Sequence, residues 1–349
     1  MPEYWDGVGS SLVYLLTDPM KPFTYTFQTE HQRATLKMAA PIKDNIGAYR
    51  TGLIELDSGR SLPFICRHSS ATAALTYLHP LEINDDWRRL VGLQPTQTTH
   101  MIDAPGTLQL GVERVRLLSR GILDIFNIPD LTTTIKDTLE EKIALLPILR
   151  EGKQFGMANH VKSACGYSCA ELPIEHNPNE TDAPYHTPDN VLTGAQRERV
   201  QLAIIGTGFT QGQNLVTLIH DIQTRFKNMS HIELIIPHAT LLGLTHTLSY
   251  VSPGISLRAH TFETLLDTQG DRGRFFPHPE FHIRPPLSQR YRAWWGRDLT
   301  GQPIANIPHM GKDSADALFD PLRQIRTLNA HLQTTYHTSL ANVISRHLP

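Results

Sequence analysis

The chain has 349 residues, 40% hydrophobic and 19% charged, a balance typical of soluble globular proteins that excludes a disordered polymer. Lys plus Arg total 32 against 34 for Asp plus Glu, a net charge of −2, so no broad basic footprint for DNA or RNA is expected. The length admits one large domain or two ordinary ones, each able to bury a core.

The first residues, MPEYWDGVGSSLVYLL, carry no basic lead, and their apolar stretch is too short for a signal peptide or a membrane span. No other run reaches spanning length, so a cytoplasmic protein is expected. Cys66, Cys165 and Cys169 are too few for a disulfide framework. Cys165 and Cys169 form C-x3-C with no second pair nearby, which suits small buried side chains better than a zinc site. No metal-ligating residues are assigned.

In chain order, Tyr49–Leu56 and Ser61–Cys66 read as two strands joined by the turn Asp57-Ser58-Gly59-Arg60. The apolar spacing of Val112, Val115, Leu117, Leu118, Ile122, Leu123 and Ile125 predicts an amphipathic helix. Ile143–Leu149 suits a buried strand, Glu151–Lys162 a helix and Tyr167–Ile174 a strand. Val200–Ile205 is a short, strongly apolar strand candidate, and Gln213–Phe226 an amphipathic helix. Ile232–Ile236 reads as a strand, Leu241–Tyr250 as a helix and Ile255–Leu257 as a short apolar piece. The tail from Ser314 to Leu348 is helical in pattern. Strands alternating with helices predict an α/β fold with a parallel sheet and crossover helices. The polar stretch Glu175–Gln196 interrupts this alternation, and long loops inside compact domains are usually functional or disordered.

Two loops carry candidate chemistry, each where a strand ends and a helix begins. The first, Pro147-Ile148-Leu149-Arg150-Glu151-Gly152-Lys153, sets two cations around a glycine, which suits a diphosphate. A solvated turn is its plain alternative. The second, Gly206-Thr207-Gly208-Phe209-Thr210-Gln211-Gly212-Gln213-Asn214, opens a helix. Its glycines let backbone N–H groups approach a phosphate, with the helix's positive end behind them. It is neither G-x-G-x-x-G nor a Walker loop, and a tight turn with no ligand is its alternative.

Taken together, these loops resemble those of the type I phosphoribosyltransferases, most of all the uracil phosphoribosyltransferase family. Pro147-Ile148-Leu149-Arg150-x-Gly152 resembles the family's pyrophosphate loop. Ile205–Asn214 falls about fifty residues later, where the family has its ribose-phosphate loop. Ile232–Leu244 resembles the strand and helix that follow, and Gly273-Arg274-Phe275-Phe276-Pro277 resembles the base-reading segment. The resemblance covers a little over half of the chain.

It implies a phosphoribosyltransferase-like sheet over 101–300, with a strand-rich region at 1–100 and a helical extension at 301–349. It implies transfer of 5-phosphoribosyl from PRPP to a small-molecule or glycan acceptor, with release of diphosphate. Arg150 and Lys153 would be catalytic and, with Glu151 and Gly152, would bind diphosphate. Residues 206–214 would bind the ribose phosphate, and Arg274, Phe275, Phe276, Pro277 and His278 the acceptor. Mg2+ as cofactor, a homodimer and a mobile loop at 175–196 are implied in the same way.

The chain departs from the family in two places. Acidic residues that hold the ribose hydroxyls are replaced by Gly206 and Thr207, and no Asp or Glu lies between Arg199 and Asp221. After Pro277 comes His278-Pro279-Glu280-Phe281-His282 rather than a Gly-Asp-rich turn, which argues against uracil as the acceptor. The missing acids keep open a catalytically silent protein that binds a nucleotide or sugar phosphate, and also a structural module whose loops bind nothing. His176, His186 and Glu280 are general-base candidates by location. Trp294 and Trp295 are candidates to stack an acceptor ring, with simple packing as the alternative.

Overall fold

The computed structural model describes residues 22–28, 33–76, 78–148, 152, 155–176, 185–186, 193–207, 213–237, 239, 241–262, 266–268, 275–277, 294 and 320–349. The chain is an α/β protein. A parallel sheet flanked by helices forms its centre, antiparallel strands extend that sheet on the N-terminal side, and helices close the C-terminal end.

The antiparallel part comprises β1 (Phe23–Gln28), β2 (Arg33–Met38), β3 (Ile42–Lys43), β4 (Gly47–Leu56) and β5 (Ser61–Ser69). The β4–β5 hairpin turns where its sequence predicts. Leu56 N–H donates to Arg60 O at 2.8 Å, and Gly59 takes φ +80°, a left-handed conformation that suits glycine. The ladder runs beyond the expected ends, pairing Gly47 with Ser69. Arg60 also reaches across to the end of a later helix, donating to Ser249 O at 3.0 Å and to Val251 O. Removing this clamp by Arg60→Ala should lower unfolding stability by about 1–2 kcal/mol, read from the urea midpoint.

Four further strands complete the sheet: β8 (Ile143–Pro147), β11 (Leu202–Gly206), β12 (His231–Ile235) and β13 (Ser256–Thr261). Their spatial order is β5-β13-β12-β11-β8, and every neighbouring pair in this series is parallel. The sequences of β8 (IALLP) and β11 (LAIIG) are buried throughout. Such unbroken apolar runs are what a sheet covered on both faces requires.

Helices α7 (Gln213–Arg225) and α8 (Leu241–Tyr250) cover one face, burying Leu215, Leu218, Ile222, Leu244 and Leu248. The other face is covered by α1 (Ser70–Thr76), α3 (Gly111–Phe126), α4 (Pro129–Lys136) and α5 (Met157–Cys165). The predicted helix at 112–125 is α3. The helix expected from Glu151 starts only at Met157, after Gly156 at φ +62°.

A second cluster joins the hairpin of β6 (Leu78–Ile83) and β7 (His100–Pro105) to α2 (Asp85–Val91), α9 (Pro321–Tyr336) and α10 (Leu340–Ser345). Trp294 belongs to it. Its indole N–H donates to Asp103 O at 2.7 Å, and its ring stacks on His347 at 4.6 Å between centroids. Trp294 is therefore a packing residue and presents no free face to an acceptor ring. Trp295 lies outside the described residues.

One charged group lies deep in the sheet. Glu233 on β12 meets His260 Nε2 and His231 Nε2, each at 2.8 Å, and accepts from Arg258 Nη2 at 3.0 Å. Arg258 also donates to Thr134 Oγ1 on α4 at 2.9 Å. Burial pushes the Glu233 carboxyl up, but His260, His231 and Arg258 outweigh burial and hold it at about 2. His260 Nδ1 is buried and has no hydrogen-bond partner among the described residues.

Candidate functional site

The candidate site lies at the carboxyl ends of β8 and β11. Residues 171–174 lie on the outer side of β8, with parallel bridges Leu145–Glu171 and Ile148–Ile174. Leu172 N–H donates to Leu145 O at 2.8 Å, and Ile174 N–H to Pro147 O at 2.9 Å. The next strand in the chain, β11, lies on the opposite side of β8. The chain order thus reverses at β8, and the two connections leave in opposite directions. In open α/β sheets this switch point opens the crevice that holds ligands.

Both sequence-marked loops leave from this switch point, and their described residues touch. Pro147 and Gly206 are register partners at the ends of their strands. Ile148 N–H donates to Gly206 O at 2.9 Å. A Cβ on Gly152 would sit 2.6 Å from that same Gly206 oxygen, so a residue without a side chain lets the first loop lie against the second strand. A Cβ on Gly206 would in turn meet Met157 Sδ at 2.8 Å and Phe155 at 2.9 Å. Both glycines are therefore required by close approach. Gly152→Val should lower the melting temperature, because its side chain cannot occupy the space against the Gly206 oxygen. The check is a thermal-shift comparison with wild type, after circular dichroism has confirmed the sheet.

Thr207 is buried, and its N–H donates to Ile235 O at 3.1 Å, continuing the sheet one residue past β11. Gln213 and Asn214 form the first turn of α7, so the second loop does end on a helix N-terminus as expected. The first loop differs. The α5 start is already capped, because Ala158 N–H donates to Glu171 Oε1 at 2.9 Å. This cap had no local signal in the sequence, since its partners are thirteen residues apart on different segments.

Leu149, Arg150, Glu151 and Lys153 lie outside the described residues, as do Gly208, Phe209, Thr210, Gln211 and Gly212. The hairpin β9 (Glu175–His176) and β10 (Tyr185–His186) continues directly from the segment beside β8. Its first strand begins directly after Ile174, so His176 falls at the same edge of the sheet as the two loops, and His186 pairs with Glu175 next to it. Among the acceptor residues, Phe275, Phe276 and Pro277 form β15 and pair with β14 (Leu266–Thr268), a hairpin that follows β13's carboxyl end. Arg274, His278 and Glu280 lie outside the described residues.

Elsewhere, Cys66 is buried with its sulfur 3.3 Å from Thr261 Oγ1. Burial first, then the charge of Glu140, raises the Cys169 thiol to about 11, which leaves it an inert side chain at neutral pH. No helix among the described residues is long and apolar enough to cross a membrane.

No protein-family model and no curated protein matches the chain. Among solved structures, the AQ2163 protein from Aquifex aeolicus is similar at 16% identity and TM-score 0.32, over 46% of this chain and 89% of that one. Adenine phosphoribosyl transferase from Trypanosoma brucei, in complex with AMP, pyrophosphate and ribose-5-phosphate, is similar at 10% identity and TM-score 0.24, over 45% of this chain and 78% of that one. Superpositions this loose carry no argument about activity.

Proposed function

We propose that the chain is a phosphoribosyltransferase that moves 5-phosphoribosyl from PRPP to a small-molecule or glycan acceptor other than uracil and releases diphosphate. The observation that supports this most is the contact of the two phosphate-suited loops at the switch point, with Gly152 against Gly206. Neighbouring strands are ~4.8 Å apart, a gap that one sugar ring bridges. Loop 206–214 would hold the 5-phosphate through backbone N–H groups and the α7 N-terminus. Arg150 and Lys153, with the backbone at Glu151–Gly152, would take the charge that builds on the leaving diphosphate. The reaction at ribose C1 passes through a cation-like state, so positioning and water exclusion matter more than covalent help. His176 and His186 stand at this edge as candidates to take the acceptor's proton.

Mg2+ is implied for this chemistry, and the described residues do not form a site for it. Segment 200–220 has no carboxylate, and Glu171 is engaged at Ala158. Any magnesium would therefore arrive on the diphosphate of PRPP, as Mg2+ commonly rides on substrate phosphates. The homodimer and a cytoplasmic location belong to the same reading. The missing carboxylates also favour a second reading, a catalytically silent protein that binds a nucleotide or sugar phosphate.

Thermal unfolding with and without PRPP and magnesium, in wild type and Arg150→Ala, tests the proposal. Ligand at a hundred times its Kd should add about 2.7 kcal/mol to wild-type stability and much less to the variant. Diphosphate release with an added acceptor then separates enzyme from silent binder. No wild-type shift at saturating PRPP overturns the transferase reading and leaves the silent binder of another nucleotide or sugar phosphate in the lead.

A further inference from the structure

A second buried polar cluster lies on the same edge of the sheet, at the end of β5. Across β4, β5 and β13, Arg50, Cys66 and Thr261 are register partners and share one face. His68 follows two residues further along β5, on that same face, opposite Ala48. Arg50 is 2% exposed and His68 is 1% exposed. Arg50 Nε donates to Ala39 O at 2.8 Å. On the opposite face Arg67, wholly buried, is bidentate on Asp44, with Nη2 to Oδ1 at 3.2 Å.

Neither ring nitrogen of His68 has a hydrogen-bond partner among the described residues. A neutral imidazole carries one donor and one acceptor, and leaving such groups buried and unmade costs stability. Native proteins rarely leave them so unless a water or ion fills the gap. The surroundings select between the two. Burial keeps the imidazole neutral, and the charges of Arg50 and Arg67 both press it further that way. A place where two cations act on an open N–H donor is electrostatically prepared for a negative oxygen. The position is also apart from the two-loop site: β5 lies three strands from β11, or ~14 Å at ordinary strand spacing.

We propose that His68 and Arg50 form a binding site for an anionic oxygen, carboxylate or phosphate, at the carboxyl end of β5. The His68 N–H donates to the anion and Arg50 supplies the charge. The site stands on its own geometry and does not rest on the phosphoribosyltransferase reading. If both hold, the acceptor or an effector carries a negative group.

The test follows the histidine ring nitrogens of the full-length, 15N-histidine-labelled protein by NMR during separate titrations with formate and inorganic phosphate. His68→Gln assigns the signal, and the wild-type titration needs no other variant. A saturable shift at His68, with its own titration raised in the presence of the anion, is expected. Formate alone producing it identifies a carboxylate site, and phosphate alone a phosphate site. Arg50→Gln should weaken the response roughly tenfold, while Arg150→Ala should leave it intact. A bromide-soaked crystal offers a second readout, an anomalous peak within hydrogen-bonding reach of the His68 ring. A His68 signal indifferent to both anions, together with no bromide peak, means a trapped water and overturns the proposal. A response that Arg150→Ala abolishes overturns it too, since the anion would then sit at the two-loop site.

Discussion

Between pH 6.5 and pH 4 the protein should lose stability steeply, by about 3 kcal/mol for each pH unit. Two buried histidines set this slope. Burial, followed by the charges of Arg50 and Arg67, lowers His68 from 6.5 to about 3. Burial lowers His79 to about 4, against smaller upward contributions from the Ala104 backbone and Glu113. The unfolded chain takes up a proton at each ring near pH 6.5, and the folded chain takes up neither. The stabilisation is therefore complete above pH 6.5 and drains away as pH falls toward the folded values. Each ring accounts for about 1.4 kcal/mol per unit in that range. Glu233 acts in a lower window. Its folded value of about 2 lies below the ordinary 4.5, so its contribution is complete above pH 4.5 and is lost below it. Urea midpoints collected from pH 7.5 to pH 4 check the slope. A flat profile across pH 6.5 to 5 would show that these rings are charged or solvated in the folded state.

The second large effect is at Glu233. Glu233→Ala should cost about 3–5 kcal/mol, the range for removing one partner of a buried charged group. The loss is asymmetric in its consequences. Arg258 keeps Thr134 at 2.9 Å and has Asp130 at 4.0 Å, whereas His260 is wholly buried and loses its acceptor. His231→Ala should cost much less, because that ring is only partly buried at the strand's start. The two variants also separate the pH windows: Glu233→Ala should keep the slope between pH 6.5 and 4.5 and flatten the profile beneath it. Equal losses at Glu233 and His231 would mean that the network is no more than surface pairing.

The elements easiest to read in the sequence were those that physics leaves little choice about. IALLP and LAIIG declare buried strands because both faces of the sheet are covered, and α3 and α8 fall on the expected residues. β13 was legible only in part. Its sequence turns polar at Arg258 and His260, whose charges are answered by Glu233 from the neighbouring strand, so local hydrophobicity breaks off before the strand does. The same holds for β5, which runs on through Arg67 and His68 to Ser69. At the site, glycine spacing marked both loops, yet nothing local showed that Gly152 would rest on Gly206, since that contact depends on which strands become neighbours. The Glu171 cap and the stacking of Trp294 on His347 were hidden for the same reason.

The pairing of β5 with β13 also governs how the chain must be assembled in time. Phe64 lies beside Ala259, a separation of 259 − 64 = 195 residues. At roughly 5–20 residues per second, a ribosome needs about 10–40 s to deliver the second strand after the first. Throughout that interval β4 can occupy one side of β5 while the other side stays open, lined with backbone donors and acceptors. Nascent chains should therefore be most vulnerable to aggregation and most dependent on chaperones before residue 261 emerges, and ribosome-bound chains halted on either side of that point should differ sharply in protease resistance.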